Sequence, residues 1–596
     1  MRNGESDILR WMGRHERTLL VLLVLVGAGF YLANVTHYVD QPLRIEENEW
    51  PQMAKGTYDH GVPIIKYGED HRVDFSADGT IFKGDKIGLW HPPAYMYSMV
   101  AFMAVAGPDS ENALRLIGVM GMVVCCFMLF LLAREITPGR TAFRLGAIAS
   151  FLFLVHPYAI QGSLFLDIDT SLYTAAFLFF LWQVARYERR RDYSTRAALL
   201  LGAALALVLW VKLTTVLVFL PVLPLFWAFR AGIRRGLVHS AVIIGSGTAI
   251  FFSTYWLYVL LTGQSFQYLF DVTFSKTDTH SIVSQGSIAP IVFMLKLQAA
   301  WFLPALLIMA AVYGIVAFRR WYDVREVSMT DLLWGTGVAI FLMYAFVVPN
   351  GSIYGSKYAV PAVPMLIFAV TAMLLGIDRE KADAAAEESG SQKLWIPVAL
   401  TALVSLALIL VMPDLISRQK FLIDNWGIKL LIVAGSAAAL WIVARGLGFQ
   451  RWAPGALIVL LAVFFLIQSV HSWRANVSPL FPGTDTADFI RSGEIVNEEL
   501  RPGEAALVSK DLGIRIDGPV IEGEAIWTFR GDEFEAQAIR DNPWISVMAT
   551  NSFGPPIGPL TKAVRDECFT KMDVGRDAVY IRKKEKCGRG PLRGSG

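Results

Sequence analysis

The chain has 596 residues, of which 54% are hydrophobic and only 18% carry a charge. Its mean hydropathy is +0.46, and a soluble protein of this length would need far more charge to cover its surface. The formal net charge of +3 and the dispersed basic residues exclude nucleic acid as an expected partner. We therefore expect a polytopic α-helical membrane protein.

The first predicted element is an uncleaved signal anchor. Three arginines precede an apolar run over residues 18–32 that no small-residue cleavage site follows. With this anchor, about thirteen stretches have roughly the 20 residues that a helix needs to cross the bilayer. They lie near 18–35, 113–133, 144–162, 171–186, 197–212, 213–229, 238–262, 289–317, 330–348, 358–377, 394–412, 427–445 and 454–471.

A shorter apolar stretch from Pro93 to Ala106 begins at a pair of prolines. It is too short to cross the hydrocarbon, so we expect a helix that lies at the interface or dips into it. Counting this stretch as a span would invert every later loop.

Basic residues set the predicted orientation. If the N-terminus is cytoplasmic, the cytoplasmic loops contain many arginines, among them Arg134, Arg140, Arg144, Arg186, Arg189, Arg190, Arg191, Arg196, Arg230, Arg234, Arg235, Arg319, Arg320 and Arg325. The short loops on the other side contain only Lys276, Lys357, Arg418 and Lys420. This asymmetry follows the positive-inside rule. The first loop (36–112) and the tail beyond residue 472 are therefore both predicted on the non-cytoplasmic side.

The tail (473–596) is predicted to be a small soluble α/β domain that follows a transmembrane domain over 1–472. Strands are predicted at Ala505–Val508, Trp544–Ala549 and Ala578–Ile581, and helices at Thr486–Leu500, Asp532–Arg540 and Leu560–Asp566. Cys568 and Cys587 flank a predicted hairpin in an oxidising compartment, where a disulfide is expected. Two unpaired thiols are the alternative.

The first loop begins with an acidic cluster of Glu46, Glu47 and Glu49. Carboxylates this close repel each other, which raises their pKa values unless a cation offsets the repulsion. Such a cluster can supply a general base or metal ligands; a solvated acidic cap is the alternative. An interfacial helix is predicted directly after it, with an apolar face formed by Trp50, Met53, Ala54 and Tyr58.

A second acidic site, Asp167 and Asp169, precedes a predicted transmembrane helix on the same side. The helix dipole favours carboxylates at this position, so capping alone accounts for Asp169. Capping does not account for Asp167 as well. Both acidic sites fall on one face of the membrane, as a shared site requires.

Cations are predicted on that face at Lys212, at Lys357 beside Tyr358, and at His91 before two prolines. A lysine near the membrane boundary most often extends its ammonium to the interface. These two lysines run against the charge bias, however, so we expect an anionic partner, and a lipid phosphate is the obvious one.

In this order the motifs resemble the GT-C glycosyltransferase superfamily, in particular the branch of the protein O-mannosyltransferases and the lipid A aminoarabinose transferases. Its first-loop Asp-Glu pair, followed by two residues, an aromatic residue and a helix ending in glycine, corresponds to Glu46-Glu47, Trp50 and Gly61. Its Lys-Pro-Pro, single aspartate, fifth-span lysine and Arg-Tyr motifs correspond to His91-Pro92-Pro93, Asp169, Lys212 and Lys357-Tyr358. The match covers roughly 18–377, with glutamate in place of the first aspartate and histidine in place of the first lysine.

The resemblance implies an inverting glycosyltransferase that moves a sugar from a polyprenyl-phosphate donor to a hydroxyl acceptor. Glu46 or Glu47 would be the base, and Asp169 would orient the acceptor or the base. The donor phosphate would be bound by His91, Lys212, Lys357 and Tyr358. Two alternatives stay open for the cofactor: a reaction without a metal, and a divalent ion, Mg²⁺ or Mn²⁺, bound by Glu46, Asp167 and Asp169.

The expected partners are the lipid-linked donor, membrane lipids, and a lipid, glycan or protein acceptor. The compact loops favour a bacterial inner membrane, with the active site and the tail in the periplasm. The main alternative is a transporter or flippase of lipid-linked sugars, for which repeated halves and mid-membrane charges are typical. A non-catalytic assembly protein is a third reading.

Overall fold

The computed structural model of the protein describes residues 4–38, 49–60, 92–107, 112–168, 170–262, 304–346 and 360–377, and parts of 64–87, 455–470 and 486–589. These residues fall into two compact units. The first contains residues 1–40, 90–95 and 115–482; the second contains 41–89, 96–114 and 483–596.

Helices dominate the first unit, and the second mixes helices with strands. The helices are α1 (Gly4–Tyr38), α2 (Glu49–His60), α3 (Ala94–Ala106), α4 (Arg115–Ile136), α5 (Gly139–Val155), α6 (Pro157–Leu164), α7 (Ser171–Arg190), α8 (Thr195–Val211), α9 (Thr215–Ala231), α10 (Ile233–Thr262), α11 (Pro304–Val324), α12 (Met329–Phe346), α13 (Ala362–Leu374), α14 (Thr486–Glu499), α15 (Pro559–Cys568) and α16 (Lys584–Cys587). The strands are β1 (Ile64–Ile65), β2 (Arg72–Phe75), β3 (Ile81–Gly84), β4 (Lys86–Ile87), β5 (Ala505–Val508), β6 (Val520–Glu522), β7 (Ile545–Thr550), β8 (Phe569–Val574) and β9 (Asp577–Arg582).

Three helices in the described part are long and apolar enough to cross a membrane: His15–Thr36 within α1, α4, and α10. Helices α5 and α6 together make a fourth candidate, bent by 69°. The chain is therefore a multi-pass membrane protein. Helices α7, α8, α9, α11, α12 and α13 lie where further spans were predicted. The spans predicted at 394–412 and 427–445 lie outside the described residues, as does the part of the span predicted at 289–317 that precedes residue 304.

One predicted span is wrong as a single helix. The apolar run over 144–162 breaks between Val155 and Pro157, because proline lacks the N–H that would continue the α5 ladder. Pro157 instead starts α6, a position that proline favours. The side chain of His156 caps the new helix, its Nδ1 accepting from the Tyr158 N–H at 3.2 Å.

Buried ion pairs occupy the end of the first unit that contains the turns 136–139, 190–195, 231–233 and 324–329, here called the arginine-rich end. The buried Glu188 carboxylate accepts from Arg230 Nε at 2.7 Å, from the Tyr193 hydroxyl at 2.9 and 3.0 Å, and from Trp227 Nε1 at 3.4 Å. Arg230 also donates to the Val327 carbonyl oxygen at 3.0 Å, which ties α9 to the α11–α12 turn.

A second network at the arginine-rich end is centred on Asp331 in the first turn of α12. Its carboxylate pairs with Arg320 and accepts from the Ser328 N–H at 2.6 Å and the Tyr313 hydroxyl at 2.8 Å. Nearby, Arg144 donates to Glu16 at 2.8 Å, which joins α5 to α1. The arginines predicted in these loops therefore form structural pairs as well as setting charge bias.

The second unit is built on a seven-stranded sheet with the order β3-β2-β6-β5-β7-β9-β8. The four central strands β2, β6, β5 and β7 are parallel, and the β2–β3, β7–β9 and β9–β8 pairs are antiparallel. Arg72 of β2 pairs with Val520 of β6. Two strands of the sheet thus come from the first loop and five come from the tail.

Cys568 and Cys587 form a disulfide in the second unit. Beside it, the buried guanidinium of Arg582 donates to the carbonyl oxygens of Ile539 at 2.7 Å, Gly588 at 2.8 Å and Cys587 at 3.1 Å. The disulfide and these hydrogen bonds therefore hold Cys587 and Gly588 against the sheet.

Helix α2 begins where the interfacial helix was predicted, but its buried face differs by one residue. Trp50, Met53 and Ala54 are buried as expected, whereas Tyr58 is 42% exposed and Thr57 is buried in its place. The Thr57 hydroxyl donates to the Met53 carbonyl oxygen at 2.6 Å and contacts Met96 Sδ at 3.1 Å. Because its hydroxyl is satisfied by its own helix, Thr57 can pack at a position that the hydropathy pattern gave to Tyr58.

Candidate active site

Two glycines of α4 position the segment that carries the second acidic site. A Cβ on Gly118 would overlap the Ser163 carbonyl oxygen, and a Cβ on Gly121 would lie 2.7 Å from Ser171 Oγ. Ser171 in turn donates to the Gly118 carbonyl oxygen at 2.5 Å. Small residues allow such close backbone approach inside a membrane bundle, so Ser163 and Ser171 are held against the first turns of α4.

Asp167 lies in this segment and is only 3% exposed. Its N–H donates to the Phe165 carbonyl oxygen at 3.0 Å, and its own carbonyl oxygen accepts from the Thr170 hydroxyl at 2.6 Å. The N-cap residue of α7 is Thr170. These bonds make a compact turn that carries the Asp167 carboxylate at the start of α7.

Lys212 is the C-cap of α8 and is 2% exposed. Its carbonyl oxygen accepts from the Thr215 hydroxyl at 2.6 Å, and its ammonium lies 5.8 Å from the centroid of the Tyr173 ring. An ammonium buried in this way differs from one that extends to water at the interface. It lies instead between the first turn of α7 and the α8–α9 turn, where the negative end of the α8 dipole favours a cation.

The turns 164–171 and 211–215 thus meet at the end of the helix bundle opposite the arginine-rich end. This opposite end also contains a cation that the sequence reasoning missed. Arg115 is 3% exposed at the start of α4, one turn before Gly118. The available signal was a charge at the edge of an apolar span on the side that has few basic residues.

Several predicted site residues lie outside the described part of the chain: Glu46, Glu47, His91, Asp169, Lys357 and Tyr358. Among the predicted catalytic, phosphate-binding and metal-binding residues, the structure therefore describes only Asp167 and Lys212. Val360, which closely follows Lys357 and Tyr358 in the sequence, is buried beside Gly162 of α6.

Metal ligation was predicted from Glu46, Asp167 and Asp169, two of which are beyond the described residues. Within the described ranges, no group of three or more His, Cys, Asp or Glu side chains is placed to hold a metal ion.

Residues 90–258 match the family model described as dolichyl-phosphate-mannose-protein mannosyltransferase. This segment begins just before α3 and includes α4 to α9 and most of α10, and so contains Arg115, Asp167 and Lys212. This segment is therefore similar to the GT-C glycosyltransferases. The match confirms the resemblance stated from the sequence motifs, and with it the prediction of a glycosyl-transferring enzyme.

The GT-C fold is also found by comparison with solved structures. The chain is similar to ArnT from Cupriavidus metallidurans bound to undecaprenyl phosphate, with 14% identity, 96% of this chain and 99% of that chain covered, and a TM-score of 0.55. The apo state of that ArnT has the same identity and coverage, with a TM-score of 0.52. No curated protein matches the chain significantly in sequence.

Proposed function

We propose that this GT-C enzyme transfers a sugar from a polyprenyl-phosphate donor to a hydroxyl acceptor on the non-cytoplasmic face of a bacterial inner membrane. The observation that carries the proposal is the buried Lys212 ammonium at the opposite end of the bundle, close to the turn of Asp167. A buried ammonium can bind a phosphate through charge-assisted hydrogen bonds. The similar ArnT structure has undecaprenyl phosphate bound.

Lys212 would neutralise the charge that grows on the leaving phosphate, together with His91, Lys357 and Tyr358. The acceptor oxygen attacks the anomeric carbon as the bond from that carbon to the phosphate oxygen breaks, which inverts the configuration. Glu46 or Glu47 takes the hydroxyl proton. Asp169 orients the acceptor or this base, and the donor leaves as the polyprenyl phosphate.

The location rests on the charge pattern. The arginine-rich end holds the clustered basic residues that the positive-inside rule assigns to the cytoplasm, and Lys212 lies at the opposite end. The acceptor class follows from the reaction, which requires a nucleophilic hydroxyl on a lipid, a glycan or a protein. A divalent ion bound by Glu46, Asp167 and Asp169 is a separate proposal, which EDTA treatment followed by Mg²⁺ or Mn²⁺ addition tests.

The test is mass spectrometry of lipids that co-purify with the full chain in mild detergent. Wild type should carry a polyprenyl phosphate, and Glu46→Gln should accumulate the sugar-charged form because the acceptor is no longer deprotonated. Glu135→Gln, at the arginine-rich end, is the matched control and should behave as wild type. Absence of polyprenyl lipid from all three proteins would refute the donor assignment.

Binding of undecaprenyl phosphate to the chain in nanodiscs tests the role of Lys212 directly. Lys212→Met should weaken binding by about 30-fold or more, as expected for a lost charge-assisted contact in a buried site. Lys562→Met, an exposed lysine on α15, is the control for a general charge effect. Movement of lipid-linked sugar across vesicles without transfer would favour a flippase instead.

A further inference from the structure

Tyr173 and Thr215 connect the start of α7 to the α8–α9 turn beside Lys212. The Tyr173 and Thr215 hydroxyl oxygens are 2.6 Å apart, and each residue is at most 1% exposed. Neither residue belongs to a motif of the sequence analysis. Both lie one helical turn or less from the groups to which the proposed function assigns chemistry.

The direction of this hydrogen-bond chain is fixed. A threonine hydroxyl has a single proton, and Thr215 donates it to the Lys212 carbonyl oxygen at 2.6 Å. Tyr173 must therefore be the donor in its bond with Thr215. The chain runs from the Tyr173 hydroxyl through the Thr215 hydroxyl to the backbone of Lys212.

The other end of Lys212 meets the same tyrosine. Its ammonium lies 5.8 Å from the centroid of the Tyr173 ring, within the range of a cation–π contact. The ring is itself held by aromatic neighbours, since Phe177 packs edge-on against it at 4.8 Å and contacts Phe219 at 5.2 Å. Tyr173 thus offers a rigid surface to the ammonium and a proton to the chain that holds the backbone.

We propose that Tyr173 is a positioning residue for Lys212, one that fixes the lysine at both its carbonyl oxygen and its ammonium. A lysine side chain has four flexible carbons and loses much rotamer freedom when a ligand orders it. Fixing it beforehand lowers that cost and strengthens binding. The inference rests on the proposed function, in which Lys212 binds the donor phosphate.

Three substitutions separate the two contacts. Tyr173→Phe keeps the ring and removes the proton donated to Thr215. Tyr173→Leu removes both contacts. Thr215→Val keeps the shape of the side chain and breaks the chain at its middle. Matched controls are Tyr187→Phe, near the other end of α7, and Thr371→Val in α13, whose buried hydroxyl only donates to the Ile367 carbonyl oxygen at 2.7 Å.

The measurement is equilibrium binding of undecaprenyl phosphate to the full chain in nanodiscs, with thermal unfolding of each variant recorded alongside. Tyr173→Phe and Thr215→Val should each weaken binding about fivefold, as for one lost hydrogen bond. Tyr173→Leu should weaken it about 20-fold because the ring is lost as well. Both control variants should bind as wild type.

A double-mutant cycle distinguishes positioning from general loss of structure. If Tyr173 acts through Lys212, adding Tyr173→Phe to Lys212→Met should cause no further loss of binding. Full additivity, or equal binding by Tyr173→Phe and Tyr187→Phe, would overturn the inference and leave the proposed function intact. Wild-type binding by Lys212→Met would instead remove the proposed function, and the inference with it.

Discussion

At the arginine-rich end of the helix bundle, the buried carboxylate of Glu188 and the partly buried carboxylate of Asp331 are surrounded by donors that include an opposite charge. At the opposite end, the Thr215 hydroxyl donates to the Lys212 carbonyl oxygen and the Tyr173 ring faces the Lys212 ammonium. Both ends bury charge inside a membrane protein, where an uncompensated charge is costly.

We expect the carboxylates at the arginine-rich end and the Lys212 ammonium to have different roles. A carboxylate closed in by arginine, tyrosine and tryptophan donors holds loops together, and its potential is largely cancelled. In the proposed function, the Lys212 ammonium instead stabilises the charge of the donor phosphate. The proposed function thus gives Lys212 a ligand-binding role and the Glu188 carboxylate a structural one, and three experiments can break or sharpen that distinction.

The largest effect on stability is expected for Glu188→Ala. Arg230 would lose its buried partner, and the Tyr193 and Trp227 donors would lose their acceptor, so the free energy of unfolding should fall by about 3 kcal/mol. Titration of the detergent-solubilised protein with SDS, with unfolding recorded at each step, measures this loss. Glu135→Ala is the control: its partner Arg189 has a side chain that is 59% exposed, and the loss should stay under about 1 kcal/mol. Equal losses would contradict a structural role for the Glu188 network.

Glu535 in the second unit extends the comparison to a buried carboxylate that accepts a hydrogen bond from a neutral hydroxyl. Burial raises its pKa from 4.5 to about 7, against the lowering effect of its bond with the Thr561 hydroxyl at 3.3 Å. The folded protein therefore binds a proton that the unfolded chain has released between pH 4.5 and 7. Stability should fall as pH rises through this window, by up to roughly 2–3 kcal/mol.

Glu535→Gln should remove that pH dependence and stabilise the chain most at pH 8, as thermal unfolding at pH 5 and pH 8 would show. Glu504 is the matched contrast. Burial tends to raise the pKa of Glu504, but hydrogen bonds from Arg589 and the Arg501 backbone, with the Arg589 charge, leave it lowered. The stability that the ionised Glu504 carboxylate contributes to the folded protein should be lost as pH falls. An unchanged pH slope in Glu535→Gln would assign the titration to another group.

The smallest effect on stability is expected for Lys212→Met. Methionine has a similar length and keeps the packing, and relief of the desolvation cost of the ammonium offsets the contacts that it loses, so the free energy of unfolding should change by less than about 1 kcal/mol. The same variant should bind donor poorly, which separates function from stability. A loss of stability as large as that of Glu188→Ala would place Lys212 among the structural pairs.

Local pattern predicted the helices and the tail strands well. The strands at Ala505–Val508 and Ile545–Thr550 and the helix at Thr486–Glu499 lie where apolar periodicity placed them. Hydropathy averaging failed at His156-Pro157, where a single proline ends a helix without changing the mean. It also failed at Thr57, whose burial depends on a bond to its own backbone.

Relations between distant segments were beyond sequence reasoning. Strands β2 and β3 were not predicted, because a short strand is stabilised by neighbours that its own sequence does not reveal. Tyr173 and Lys212 belong to different helices, and only packing brings them together. Lys212 was identified from its charge and position, but the means by which it is held required the structure.

The shared sheet has a consequence for how the protein is made. Strand β2 is synthesised near the start of the chain, and its parallel partner β6 near the end, after nearly all the apolar helices. At ~5–20 residues per second, translation takes about 20 to 90 seconds to pass from one strand to the other. Until then β2 and β3 form an isolated hairpin, which is marginally stable in water. Any factor that protects exposed strand edges during biogenesis would have to act on this hairpin for that whole interval. Chains truncated before residue 520 would lack β6, so β2 would have no parallel partner.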